Sequence, residues 1–194
     1  IDTLALRAAA PCGSQIHSLS APACTGGRNL AAPAPAVFPD AEFTCWTRPQ
    51  ANAEKMAAEI DGLKVATNLE QAFGEADIVT SATMSTEPTL RGDWLQPGQH
   101  IDLIGAYRPD MREIDNTALN RASLFVDSYD TTLDHIGELK IPLAEGVITR
   151  EDVLADYYSL DKFTRTPDDQ ITLFKNGGGA HLDLTPRPHM TTHL

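Results

Sequence analysis

Residues 76–115 read ADIVTSATMSTEPTLRGDWLQPGQHIDLIGAYRPDMREID. Two short apolar runs within them, residues 78–82 and 101–104, are bounded by turn chemistry and are too short for helices, so both read as buried parallel strands. The first runs out into Ser81, Ala82, Thr83, Met84 and Ser85, mostly small and hydroxylated, and the second ends at Gly105 and Ala106. In an open α/β sheet, ligands sit outside the carboxyl ends of the strands, so two such ends read as one floor of a nucleotide site.

Working outward, residues 42–46 form a further strand, reached through the Pro39-Asp40 turn, and residues 50–60 a helix that ends at Asp61-Gly62. A short strand over residues 63–66 follows. Asn68 caps a helix through Phe73 that Gly74 closes. Gln96-Pro97-Gly98 turns the chain into the strand over residues 100–104, Asp115 or Asn116 caps a helix through Ala122, and residues 124–127 are another strand. This alternation indicates an α/β layer built on a parallel sheet. Thr149 and Asp152 make a capping box, which predicts a helix to about Leu160, and residues 171–175 are a last strand feeding Asn176-Gly177-Gly178-Gly179. A glycine run there either lets the backbone pass close to a ligand or makes a loose turn.

Residues 1–36 differ. They are crowded with Ala and Pro, and neither helical nor strand periodicity survives across them, which predicts an irregular segment followed by a regular domain over residues 37–148 and a C-terminal segment over residues 149–194. The 194-residue chain carries a net charge of −12, which disfavours nucleic acid and anionic membrane as partners. No apolar run approaches the roughly 20 residues of a membrane span, and no charged-then-apolar leader is evident, so the cytoplasm is the expected compartment. Cys12, Cys24 and Cys45 are odd in number and follow no metal-ligand spacing, so no metal is expected and the thiols read as inert.

From residue 37 to about residue 184 the chain resembles the C-terminal half of the ornithine cyclodeaminase and mu-crystallin family. The resemblance rests on Ala76-Asp77-Ile78-Val79 with Ser81-Ala82-Thr83, Gly92-Asp93-Trp94-Leu95-Gln96-Pro97-Gly98, Gly105-Ala106 with Arg108-Pro109-Asp110-Met111-Arg112-Glu113, Val126-Asp127-Ser128, Pro142-Leu143-Ala144-Glu145-Gly146, and Asp169-Gln170-Ile171-Thr172-Leu173-Phe174-Lys175. It implies a Rossmann-type, doubly wound parallel sheet that binds a nicotinamide nucleotide, a separate dimerising substrate domain, and a C-terminal helical segment that packs back toward the active site. The family's first strand and G-x-G-x-x-G turn, expected before residue 37, are absent, and Gly26-Gly27 has the wrong spacing to replace them. The sheet is therefore expected to be incomplete there, in a fragment whose first 36 residues are out of frame or unrelated, or else in a naturally shortened chain.

The resemblance also assigns roles. Members that cyclise ornithine carry an Asp at the position of Tyr107, and a phenol is a poor base near neutral pH. The pattern is closer to reductases of cyclic imino acids such as pyrroline-2-carboxylate and piperideine-2-carboxylate. An ornithine cyclodeaminase-like lyase, an amino-acid dehydrogenase and a non-catalytic NADPH-dependent ligand carrier are the alternatives. Ser81, Ala82, Thr83 and Met84 are expected to line the ribose or nicotinamide, Gly105 and Ala106 to admit the nicotinamide face, and Asn176 and Gly177 to close over it. Tyr107 is a candidate hydrogen-bond donor to an imine or a bridging water, while the acid that protonates nitrogen is expected to be water or a residue not present here. Arg108 and Arg112 are candidates for the substrate carboxylate, with helix-cap or surface ion-pair roles as the alternative, and His135 and His181 are expected to be structural. The corner Trp46-Thr47-Arg48-Pro49 has no carboxylate to repel a 2′-phosphate, so Thr47 and Arg48 are expected to select NADP(H) over NAD(H). A homodimer is expected where the substrate domain is present.

Overall fold

The computed structural model describes residues 2–9 and 15–19 as backbone, and residues 41–165 and 167–178 in full. Cys12, Cys24, Gly26, Gly27, Pro39, Asp40, Gly179, His181 and the tail from Thr185 lie outside the described residues. The strands are β1 (Asp2–Ala9), β2 (Gln15–Leu19), β3 (Glu42–Thr47), β4 (Leu63–Val65), β5 (Ile78–Ser81), β6 (His100–Leu103), β7 (Ser123–Val126), β8 (Val153–Ala155) and β9 (Thr172–Lys175). The α-helices are α1 (Gln50–Glu59), α2 (Leu69–Glu75), α3 (Asn116–Arg121), α4 (Tyr129–Thr132) and α5 (Gly137–Ala144).

The strands form one sheet in the order β4-β3-β2-β1-β5-β6-β9-β7-β8. All pairs are parallel except those made by β1, which runs antiparallel to β2, β3 and β5. Helices cover both faces, as expected of a doubly wound α/β sheet. On one face Ala53 and Met56 of α1 pack on Phe43, Cys45 and Leu63. On the other, Phe73 of α2, Ala118 and Leu119 of α3 and Leu139 of α5 enclose Val79, Ile101, Leu103, Leu124, Val126 and Leu173. The strand register places Val79, Ile101, Leu173 and Leu124 in one row across this face. Fully burying each such side chain contributes about 1.5–3 kcal/mol, so this row is the main apolar reason for the sheet's order.

Several expectations need correction. Two stretches of the N-terminal segment, read as irregular, are strands: main-chain hydrogen bonding to a neighbouring sheet edge needs no apolar alternation. Helix α2 continues through Gly74 to Glu75, capped at its start as expected by Asn68 Oδ1, which accepts from the Gln71 amide at 3.1 Å. The capping box at Thr149 forms, but it opens only a 3₁₀ turn (Arg150–Asp152), because the next residues are drawn into β8, where Val153 and Ala155 are buried beside β7. Residues 149–162 therefore give 3₁₀ turns and β8 where a helix to about Leu160 was expected, while the expected strand over residues 171–175 forms as β9 and pairs with β6 on one side and β7 on the other. Helices α4 and α5 have no counterpart in the sequence reading.

The link from β5 to β6 is fastened to α3. Asp115 Oδ1 accepts from the Ala118 amide at 3.0 Å as helix cap and from the Gly92 amide at 2.9 Å, while the Arg121 guanidinium donates to the Gly92 carbonyl. Gly92 lies so close that an added Cβ would stand 2.2 Å from the Ala118 nitrogen. Gly92→Ala is expected to destabilise the chain by about 1–3 kcal/mol, as overpacking does. Urea unfolding checks this; an unchanged midpoint would show that α3 gives way freely.

Candidate active site at the ends of β5, β6 and β9

The carboxyl ends of β5 and β6 are joined by one side chain. Glu113, fully buried, accepts through Oε1 from Ser81 Oγ and the Thr83 amide, both at 2.6 Å. Through Oε2 it accepts from the Gly105 amide at 2.7 Å and the Ala106 amide at 3.0 Å. One oxygen thus serves each strand end. Glu113 is itself held by Glu138, near the start of α5, whose carboxyl oxygens accept from the Glu113 amide at 2.7 Å and the Ile114 amide at 3.1 Å. Burial, and then the neighbouring charge of Glu113, push Glu138 up to about 7.

Lys175, the last residue of β9, is fully buried, with Nζ donating to the Leu103 carbonyl at 3.0 Å. Burial lowers its pKa, while the charges of Glu113, Glu138, Asp102 and Asp127 raise it. Asp102 sits on the opposite sheet face from Leu103, beside a cavity of about 370 Å3 that Phe125, Tyr157, Phe163, Phe174 and Asn176 also line. Burial pushes Asp102 up to about 7 against the pull of the Lys175 ammonium. His100, on the same face, has Nδ1 2.8 Å from Thr172 Oγ1, and burial, with Arg165 second, lowers it to about 4.

The structure brings most of the expected residues to this edge. Ser81 and Thr83 are buried, Ala82 is half-buried and Met84 is 65% exposed. Gly105 packs on the end of β5, where an added Cβ would stand 2.1 Å from the Thr83 nitrogen; its missing side chain is used by the neighbouring backbone, and Ala106 is buried against Met111 and Ile136. The Asn176 amide donates to the Leu103 carbonyl at 2.9 Å, and its Oδ1 accepts from the Gly178 amide at 2.7 Å. Gly177 lies beside Asp127 and Thr132, where a Cβ would come within 3.1 Å of Asp127 Oδ1. Tyr107 is 58% exposed just beyond β6.

Other residues sit differently from expectation. The Thr47 hydroxyl donates to the Pro49 carbonyl at 2.6 Å and accepts from the Ala53 amide at 3.0 Å, so it is engaged within the turn into α1. Arg48 is exposed, its guanidinium 6.0 Å from the Trp46 ring centre. Both lie at the end of β3, with β1 between them and Ser81 (Asp2 opposite Thr47, Thr3 opposite Ser81). Arg108 makes a two-pronged ion pair with Asp110, each contact 3.0 Å, and Arg112 is buried, donating to the Ile114 carbonyl. His135 is exposed between α4 and α5. Burial pushes the Cys45 thiol up to about 12, which makes it unreactive. No cluster of three metal-ligating side chains occurs among the described residues. The sequence reading assigns no site role to Glu113, Glu138 or Lys175. The available signal was charge inside apolar runs, in Met111-Arg112-Glu113-Ile114, Ile136-Gly137-Glu138-Leu139 and Leu173-Phe174-Lys175.

The profile of the ornithine cyclodeaminase/mu-crystallin family matches residues 32–186. The chain belongs to that family. It is 47% identical over 176 residues to a Delta(1)-pyrroline-2-carboxylate reductase of Paracoccus denitrificans, covering 87% of this chain and 56% of that one. The ketimine reductase mu-crystallin of Mus musculus is 34% identical over 145 residues, covering 74% and 44%. Among solved structures, the Delta(1)-pyrroline-2-carboxylate reductase of Thermococcus litoralis, in complex with NADH and L-proline, superimposes with a TM-score of 0.62 at 28% identity, covering 70% of this chain and 44% of that one. The chain thus spans about half the length of the curated relatives it matches.

The family's nicotinamide nucleotide fits this edge on one side. The Thr83 hydroxyl is buried without a hydrogen-bond partner, a group that a ligand can satisfy. On the pyrophosphate side, among the described residues no glycine-rich turn stands between β3 and β5, where β1 runs antiparallel.

The buried acids set the pH response. Asp102 and Glu138 ionise near their ordinary values of 3.8 and 4.5 when unfolded and near 7 when folded, so the folded chain holds more protons between these limits. Their contribution to stability is present at low pH and lost as pH rises toward about 7. His100, lowered from 6.5 to about 4, has the opposite slope, losing stability as pH falls through that window. Asp102→Asn is therefore expected to narrow the fall in Tm between about pH 5 and about pH 8 relative to the wild type. Melting curves check this, and an equal fall in both proteins would show that Asp102 ionises as it does in water.

Proposed function

We propose that the chain is part of an NAD(P)H-dependent reductase of cyclic imino acids of the pyrroline-2-carboxylate and piperideine-2-carboxylate kind, acting in the cytoplasm and, when joined to a dimerising domain, as a homodimer. The observation that carries this reading is the β6 exit. A carboxylate is needed there for ammonia-expelling cyclisation, and the chain instead presents Tyr107 above strand ends held by Glu113. The relative at 47% identity named for pyrroline-2-carboxylate reduction supports the same choice.

The nicotinamide, when bound, supplies the hydride. Residues 81–83 and 105–106 orient its ring by holding two strand ends at a set spacing, and Asn176 and Gly177 bound it from the β9 side. Tyr107 is positioned to hydrogen-bond an imine or a bridging water, and the acid that protonates nitrogen is water or a residue not present here. Recognition of a substrate carboxylate by Arg108 requires its pair with Asp110 to open. With the Thr47 hydroxyl engaged in its turn, preference for NADPH falls to Arg48.

Titration with NADPH and NADH, read by energy transfer from Trp46 and Trp94 to the reduced nicotinamide, is expected to show saturable binding with NADPH favoured. Arg48→Ala is expected to weaken NADPH about tenfold, the worth of one charge-assisted contact, and to leave NADH unchanged. Equal binding of the two nucleotides would refute the NADPH preference. NADPH held but not oxidised in the presence of pyrroline-2-carboxylate would move the reading to a ligand carrier.

A further inference from the structure

We propose that Glu113 is the positioning residue of the cofactor floor: its carboxylate sets the spacing between the β5 and β6 ends against which the nicotinamide rests, with Glu138 holding Glu113 and Lys175 balancing the charge. The inference deepens the reductase reading and rests on it. Four donors, two on each oxygen, fill the acceptor sites of an ionised carboxylate, so neither oxygen is left to serve a ligand. The amides of Thr83, Gly105 and Ala106, at the two strand ends, all donate to this one buried anion. Glu113 therefore acts through the backbone it grips and makes no contact with the nicotinamide.

The geometry distinguishes this role from general support of the fold. Oε1 bonds only to the β5 end and Oε2 only to the β6 end, so the carboxyl plane bridges two loops that share no other side chain of this kind among the described hydrogen bonds. Gly105 already touches the Thr83 backbone, so the two ends can neither close further nor, while Glu113 is charged, separate. Charge-assisted hydrogen bonds are roughly twice as strong as neutral ones. Glutamine has the same shape, but its amide nitrogen would oppose the N–H groups of one strand end and release that end. Glu138→Gln acts one step back, setting an amide nitrogen against the amide of Glu113 or Ile114.

The test compares the full chain with Glu113→Gln and Glu138→Gln, using NADPH and adenosine 2′,5′-bisphosphate, which lacks the nicotinamide half, together with amide hydrogen exchange. Glu113→Gln is expected to lose about tenfold in NADPH affinity, the scale of a charge-assisted contact, with the bisphosphate unchanged and exchange accelerated at Thr83, Gly105 and Ala106 alone. Glu138→Gln is expected to show the same pattern more weakly, and it carries the test if Glu113→Gln does not fold. Equal loss of both ligands with a general rise in exchange would overturn the positioning role in favour of plain structural support. Unaltered exchange at the three amides would overturn the clamp itself. Accelerated exchange at those amides in a chain whose wild type binds neither ligand would overturn the cofactor reading while leaving the clamp in place.

Discussion

A single carboxylate, shared between two strand ends, is the constraint on which the rest of the structure depends. Glu113 satisfies four donors at once, and three of them are backbone amides where the chain leaves regular sheet pairing and would otherwise be unpartnered in a dry interior. Burying a charge in this way is tolerated only when it is paired and fully hydrogen-bonded. Lys175 supplies an opposite charge that Glu113 favours, and Glu138 accepts from the Glu113 amide. Removing one member leaves the others as uncompensated buried groups, so the set behaves as a unit and not as three separate contacts.

The sheet order explains how the set assembles. β9 comes from the far end of the described chain and enters between β6 and β7, and Leu103, Lys175 and Val126 fall in one row. The floor made by residues 81–106 therefore receives its counter-charge only after a strand some seventy residues later has paired, a separation that the Lys175 bond to Leu103 records as 72 residues. The same insertion sets Asn176 and Gly177 beside the β6 end.

The two faces of the sheet are built differently. The inward face is a continuous apolar core under α2, α3 and α5. The outward face of β6, β9 and β7 carries His100, Asp102, Phe174 and Phe125, with Tyr157 and Phe163 stacked near them, and ionisable groups there have their charged forms disfavoured by burial. The family's nucleotide corner, between β3 and β5, is crossed by an antiparallel strand. That crossing leaves the β5, β6 and β9 ends as the described part of the edge that is open to a ligand.

The sequence by itself determined the α/β class, the strands from residue 42 to residue 127, the helix caps at Asn68 and Asp115, the inertness of Cys45 and the family, because period, turn chemistry and motif order are local properties of the chain. It also marked residues 81–84 and 105–107 as strand exits. Only the tertiary structure decided that the capping box at Thr149 stops at a turn, that β9 lies inside the sheet, that Gly105 is small for the sake of Thr83, and that the Thr47 hydroxyl is engaged in its own turn. It alone brought Glu113, Glu138 and Lys175 together. Their meeting is a consequence of strand order and burial across distant segments, and no local pattern of residues encodes which buried charges will share one pocket.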